Sequence, residues 1–443
     1  MTAERMPTTV NVTAQSLRAG NSKLRANTLV TSASSLANGL LNAAMLAYAA
    51  RQGQTGQIAA YSVMTAALTW IAILVMGGSS LLYVSGTEHE RLAARSQRLL
   101  IALPVMAAAT CLLSGLYAAR GYASTALIAA GCVLMLNSLA ELRYSDLIRQ
   151  LRFVGVSAAS TGTRLLALGL LVGGVPLTAA LATGAGVYLL SVEILVRRAG
   201  NGAPPIWSGL SVRAAKGAFR LNRRLMGYSI GDAFSARAGT LALSLVASPH
   251  VVGCYGALVS IYQALVAVVF SGLRVPMAMR TRRRHRIGPP RPVSREAEVI
   301  TTAAALVISA GIVGFAPWLT SDVLDLDVAG AAVWLQMLAI ALPFATVNRA
   351  FALSRIGDGD YRAATRTAIA LAIIVLVGLA AQFAELTPTG TAAAAGIAEV
   401  SVAVAILVGA ARRRRGRSAP AVGTADAPIG TEQASVPGSV TAP

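Results

Sequence analysis

The sequence predicts an all-α polytopic membrane protein of about twelve helices. Two observations carry this. Apolar runs of ~20 residues, the length a helix needs to cross a bilayer, recur along the whole chain. Lys and Arg gather between those runs on alternate connections. With the N-terminus placed inside, the inside connections hold 33 of the 38 basic residues. The outside connections hold Arg51 and Arg120, and Arg164, Arg237 and Arg274 fall within spans. This is the positive-inside pattern, and one missed or extra span would scramble it. It therefore supports span number and orientation together: multi-pass, in the cell (inner or plasma) membrane, with both termini on the cytoplasmic side.

Composition agrees. The chain of 443 residues is 55% hydrophobic and 13% charged, with mean hydropathy +0.63; a soluble globular chain has nearly twice that charge. A net charge of +20 would otherwise suggest nucleic acid, but here the cations sit at helix ends, where membrane lipids with anionic headgroups are the natural partner. No nucleic-acid partner is expected. Helices are required because the bilayer core offers the backbone no water to bond, and the runs are too long for barrel strands.

The spans fall near 27–49, 57–84, 98–118, 124–140, 154–173, 176–196, 224–247, 251–279, 298–319, 331–353, 365–385 and 390–411. Residues 1–25 are polar, form a cytoplasmic N-terminal segment and lack a cleavable signal peptide. Residues 26–197 make a first six-helix set, and 198–223, with Gly202, Pro204 and Pro205, a basic linker halfway along the chain. A second set occupies 224–411, and the Ser/Ala/Pro/Thr/Gly-rich tail 412–443 reads as disordered. The stretch ELRYSDLIRQLRF at 141–153 is either a surface amphipathic helix or an extension of the preceding span.

The halves show a hint of repetition. Each first span ends in a short outside turn with a Gly, then a Tyr-bearing helix start: Gly56 and Tyr61 in the first half, Gly253 and Tyr255 in the second. The two glycines are 197 residues apart. Duplicated halves are common among transporters.

Ionisable groups deep in a span cost roughly 2.5–3.5 kcal/mol each on insertion scales and face a cavity or a partner. Arg164 lies mid-span without an acid at its depth in the first half, so it is either a phosphate-binding cation or a structural Arg bonded to helix carbonyls. Asp232 and Arg237, five apart, differ by about 140° around a helix. Asp232 is then a candidate partner of Arg274, and Glu399 of Arg237; alternatively either acid is an ion-coupling carboxylate. Glu193 pairs with Arg197 one turn on. Asn38 and Asn42 share a helix face and bond either sugar hydroxyls or a neighbouring helix. Tyr61, Tyr228, Tyr255 and Tyr262 stack on sugars or sit in packing. Gly169 and Gly173 form a small-xxx-small packing pair. Cys111, Cys132 and Cys254 lack metal spacing, and His89, His250 and His285 are scattered, so no metal site and no cofactor is expected. Nucleotide-binding and hydrolase motifs are absent. The chain reads as a non-enzyme that does not itself hydrolyse ATP.

These residues resemble one family. LRANTLVTSASSLANGLLNAAMLAYAARQG, with its Ala50-Arg51-x-Gly53 exit, is similar to the first helix of the lipid-linked oligosaccharide flippases, the polysaccharide or O-antigen-type exporters. These belong to the multidrug/oligosaccharidyl-lipid/polysaccharide exporter superfamily. LMGYSIGDAFSARAGTLALSLVASPHVVGCYGALVSIYQ resembles the start of that family's second half, and SRIGDGDYRAATR its tenth-to-eleventh connection. The first-helix turn departs from the family, reading QGQTG where an acid is frequent. The resemblance spans about residues 20–411 and implies two six-helix bundles around a central cavity that opens alternately to each side. It implies an oligosaccharide on a polyprenyl pyrophosphate as substrate; the residues themselves offer Arg164, Arg237, Arg274, Asn38 and Asn42 as the candidates to bind it. Polysaccharide polymerase and glycosyltransferases are the implied partners in cell-surface polysaccharide biosynthesis. Two alternatives stay open: a cation-coupled multidrug exporter, which would want an acidic cavity, and an integral-membrane enzyme on lipid-linked sugars, which would want a large external loop.

Overall fold

The computed structural model describes residues 14–77, 88–149, 153–198, 205–284, 296–326, 328–382 and 385–418. Among these residues it contains thirteen α-helices and no strands. They are α1 (Ala14–Arg51), α2 (Thr55–Met76), α3 (Glu88–Gln97), α4 (Leu103–Ala118), α5 (Ser124–Arg149), α6 (Phe153–Val172), α7 (Leu177–Arg198), α8 (Val212–Val246), α9 (Pro249–Arg284), α10 (Glu296–Trp318), α11 (Ala331–Asp358), α12 (Tyr361–Ala380) and α13 (Pro388–Ser418). A π-turn at Arg98–Ala102 joins α3 to α4 as one rod, leaving twelve rods in two sets of six; a second, Leu319–Val323, extends α10. Residues Met1–Ala403 form one compact unit, and Val404–Pro443 a second that holds the end of α13. The N-terminal 13 residues and the tail beyond Ser418 lie outside the described residues.

Ten described helices are long and apolar enough to cross a membrane. α1 and α8, the first rod of each set, are not among them. Ser34, Asn38 and Asn42 lower the hydropathy of α1, and Asp232, Ser235 and Arg237 that of α8. Both helices contribute residues to a cavity: Asn42, Met45 and Leu46 from α1 and Arg237 from α8.

Local chemistry sets the helix ends. Ser211 caps α8, its Oγ accepting from Ala214 N, and Asp360 caps α12 by accepting from Ala363 N. Both fill orphan donors of a first turn. The α11–α12 turn is tight because Gly359 takes φ +81°, a conformation a Cβ disfavours. Most helices overrun their expected spans on the basic side. α5 continues to Arg149, so 141–149 extends the span rather than forming a separate surface helix. α8 starts at Val212, twelve residues before the expected 224, and α11 runs to Asp358. The basic residues expected in loops therefore partly sit on helices, where some become buried. Arg98 is 1% exposed and donates to Glu141 at 2.9 Å. Arg143 is 2% exposed and bonds Glu193 at 2.7 Å, so Glu193 serves Arg143 as well as Arg197.

The halves meet along α1 and α2 of the first and α8 and α9 of the second. Glycines permit this. A Cβ at Gly253 would lie 2.4 Å from the Thr55 carbonyl oxygen, and one at Gly256 2.3 Å from Ser62 Oγ. Trp70 and Phe234 pack edge-to-face across the seam at 4.5 Å. Gly169 and Gly173 do not pack a neighbouring helix: a Cβ at Gly169 meets open space, and one at Gly173 meets only its own helix. The expected packing pair therefore lies on an exposed face of α6. Glycines at the α6–α7 contact are Gly184, whose Cβ position lies 3.1 Å from Ala167 and the Thr163 carbonyl, and Gly155, which faces Leu195.

Candidate functional site

A cavity of about 210 Å³ lies at the seam of the halves. From the first half it is lined by Asn42, Tyr61, Ser62 and Thr65, with Met45, Leu46, Leu177 and Leu181 as apolar wall; from the second by Arg237, Ser260 and Gln263. Helical spacing explains the set. Ser260, Gln263, Ala264 and Ala267 recur at the three- and four-residue steps that put side chains on one face of α9. Tyr61 and Thr65 do the same on α2.

The cavity is cationic. Arg237 makes no ion pair or hydrogen bond to a described residue, and no carboxylate lines the space. Behind Asn42, Arg164 on α6 donates from Nη1 to Asn42 Oδ1. Arg164 has no acid partner among the described residues, as expected from the first half. Asn38, one turn from Asn42, is used differently: its Nδ2 donates to Ser160 Oγ at 2.9 Å, tying α1 to α6. Its Oδ1 is buried without a partner. Thus Asn42, Arg164 and Arg237 come together, and Asn38 stands beside them in helix packing. Arg274 is on α9, but its side chain lies outside the described residues.

The acids pair otherwise than expected. Glu399 does not reach Arg237; Asp232 is paired with Arg349, and its expected partner Arg274 has its side chain outside the described residues. Both carboxylates converge on Arg349, Glu399 Oε1 at 3.0 Å and Asp232 Oδ1 at 3.3 Å. Asn348 Nδ2 adds 2.7 Å to Glu399 Oε2. Arg349 falls near the end of the 331–353 span, among the basic residues of the following connection. The clue to its burial was that Ala350, Phe351, Ala352 and Leu353 continue the run beyond it. It is 5% exposed inside α11. A void of about 30 Å³, the size of a water or two, adjoins this cluster and is also lined by Tyr255, Tyr262 and Gln263. Gln263 therefore touches both the ion cluster and the seam cavity. Tyr255 and Tyr262 belong to this void, whereas Tyr61 faces the seam cavity.

A third cavity, of about 430 Å³, lies within the first half toward the basic face. Leu68, Ala72, Ile73, Met76, Met106 and Leu134 make it largely apolar, with Glu141, Tyr144 and Tyr188 as its polar edge. Among the described residues no group of three or more His, Cys, Asp or Glu could hold a metal ion.

No family profile matches the chain, and no curated protein sequence does. Solved structures do. The chain is similar to the lipid II flippase MurJ in an inward closed conformation, with TM-score 0.62 and 12% identity over 86% of this chain and 87% of that one. It is similar to the MATE multidrug transporter DinF-BH, with TM-score 0.57 and 15% identity over 89% and 96%. The eukaryotic MATE transporter AtDTX14 gives TM-score 0.52 and 14% identity over 89% and 97%. The chain is thus a multi-pass membrane protein with the two-bundle fold that MurJ and the MATE transporters share.

Proposed function

We propose that the protein is a flippase that carries a polyprenyl-pyrophosphate-linked oligosaccharide from the cytoplasmic to the outer leaflet by alternating access. One observation carries this reading: the cavity between the halves is lined by Arg237 from one half and, from the other, by Asn42, which accepts from Arg164 behind it, with no carboxylate in the lining. Unpaired guanidinium in a desolvated space favours an anion, and the planar fork of Arg matches phosphate oxygens with two parallel donors. Tyr61, Ser62, Ser260 and Gln263 supply the hydroxyls, amide and ring face that a sugar engages. The apolar prenyl chain stays in lipid. The same charge disfavours organic cations, which sets the multidrug reading second.

The test uses proteoliposomes containing a labelled polyprenyl-pyrophosphate oligosaccharide. Wild-type protein is expected to make inner-leaflet sugar accessible to an external glycosidase. Arg164→Ala and Arg237→Ala are each expected to lose transport by about 100-fold, as when one charge-assisted contact of about 2.7 kcal/mol is removed, while folding and inserting normally. Normal transport by both variants would remove the cationic cavity from the path. No exposure of any sugar lipid by wild type, with efflux of organic cations, would replace this reading by the exporter one.

A further inference from the structure

Arg51 and Arg120 break the charge pattern: they are the two basic residues of the outside connections. The structure gives both the same task. Each belongs to the first half, and each guanidinium crosses the seam to main-chain carbonyls of the second. Arg51 Nη2 donates to the carbonyl of Asp322, in the π-turn that ends α10. Arg120 Nη1 donates to the carbonyls of Leu245 at 2.8 Å and Ser244 at 3.3 Å, in the last turn of α8. Carbonyls at a helix C-terminus lack intrahelical donors and carry the negative end of the helix dipole, so they attract cations. Beside Arg120, Tyr117 Oη and Ser244 Oγ are 3.1 Å apart. Across the same face His250 Nδ1 meets Thr55 Oγ1 at 3.2 Å, joining the first turns of α9 and α2.

We propose that Arg51 and Arg120 are an external latch, two guanidinium clasps that hold the halves together on the short-loop face and must release for the seam cavity to open there. The geometry suits a reversible closure. The clasps are side chain to carbonyl contacts at the exposed rim and can be exchanged for water. The close-packed seam beneath them, at Gly253 and Gly256, leads to the cavity through Ser62, which both abuts Gly256 and lines the cavity. A Lys/Arg excess elsewhere is explained by lipid and topology. These two positions sit against that rule, and their contacts supply the reason.

The test needs no transport substrate, so it is independent of the flippase reading. Full-length protein, with Cys111, Cys132 and Cys254 replaced by Ala, is reconstituted in nanodiscs with spin labels at Gln52→Cys in the first half and Val246→Cys in the second. In the same cysteine-free background a separate Ser260→Cys protein reports access to the cavity through its rate of reaction with a hydrophilic maleimide. Arg51→Ala/Arg120→Ala is expected to move the spin–spin distribution to longer separations. It is also expected to raise Ser260→Cys labelling about tenfold, since the clasps bias a two-state equilibrium. Each single variant is expected to give an intermediate shift, and the singles carry the test if the double variant fails to assemble. Unchanged distances and labelling in monodisperse variants would overturn the latch.

Discussion

Arg349→Met is expected to be the most destabilising single substitution in the second half. The side chain neutralises two carboxylates at once, with Glu399 8% and Arg349 6% exposed at the side chain. Met fills comparable volume, so the loss is electrostatic rather than a cavity. Removing one member of a buried ion cluster leaves charge without a counter-ion and typically costs about 3–5 kcal/mol. Asp232, more exposed, is better able to take up water. The expected result is a clear fall in Tm in detergent and reduced yield. The check is compensation: adding Glu399→Gln and Asp232→Asn to Arg349→Met should return most of the lost stability, because coupled sites are non-additive. A Tm unchanged in Arg349→Met, or an additive further loss in the triple variant, would show that the cluster does not stabilise the fold.

Gly253→Val is expected to disrupt the seam, whereas Gly56→Ala is expected to be neutral or stabilising. The two glycines occupy equivalent places in the sequence repeat, yet their surroundings differ. The Cβ position at Gly253 falls 2.4 Å from a backbone oxygen of α2, which cannot swing aside as a side chain would; at Gly56 nothing lies within 4 Å. Overpacking of a tight contact costs about 1–3 kcal/mol, occasionally more. Gly to Ala in an unstrained helical position gains about 0.4–1 kcal/mol through the unfolded chain. Thermal melts of both variants in one detergent measure the contrast. Equal responses would mean that α2 and α9 do not approach as closely as Gly253 indicates.

These cases mark the boundary between what the chain declares and what its folding decides. Ten of the twelve rods, and the mid-span placement of Arg164, were legible because membrane insertion acts locally: a span that is apolar and long enough declares itself. α1 and α8, the latter carrying Arg237, are too polar to do so and were placed by the alternation of charge between runs. The closure of the repeat was half legible: the glycines could be seen, but not that only Gly253 abuts a backbone.

Pairing was not legible. Arg349 and Glu399 are 50 residues apart, and Arg349 and Asp232 117 apart. Which guanidinium meets which carboxylate depends on the rotation of three helices about their axes, to which hydropathy is insensitive. Helix overrun was left open in the same way: the sequence of 141–153 is equally compatible with a surface helix or an extension of the span, and the structure continues the helix to Arg149, with Arg143 bonded to Glu193. The sequence by itself determined that this chain lies in a membrane as two sets of helices with cations held between them. Only the tertiary structure decided which cations are spent on carboxylates and which stay free to face the cavity, because charge pairing is a property of contacts between distant segments rather than of any one segment.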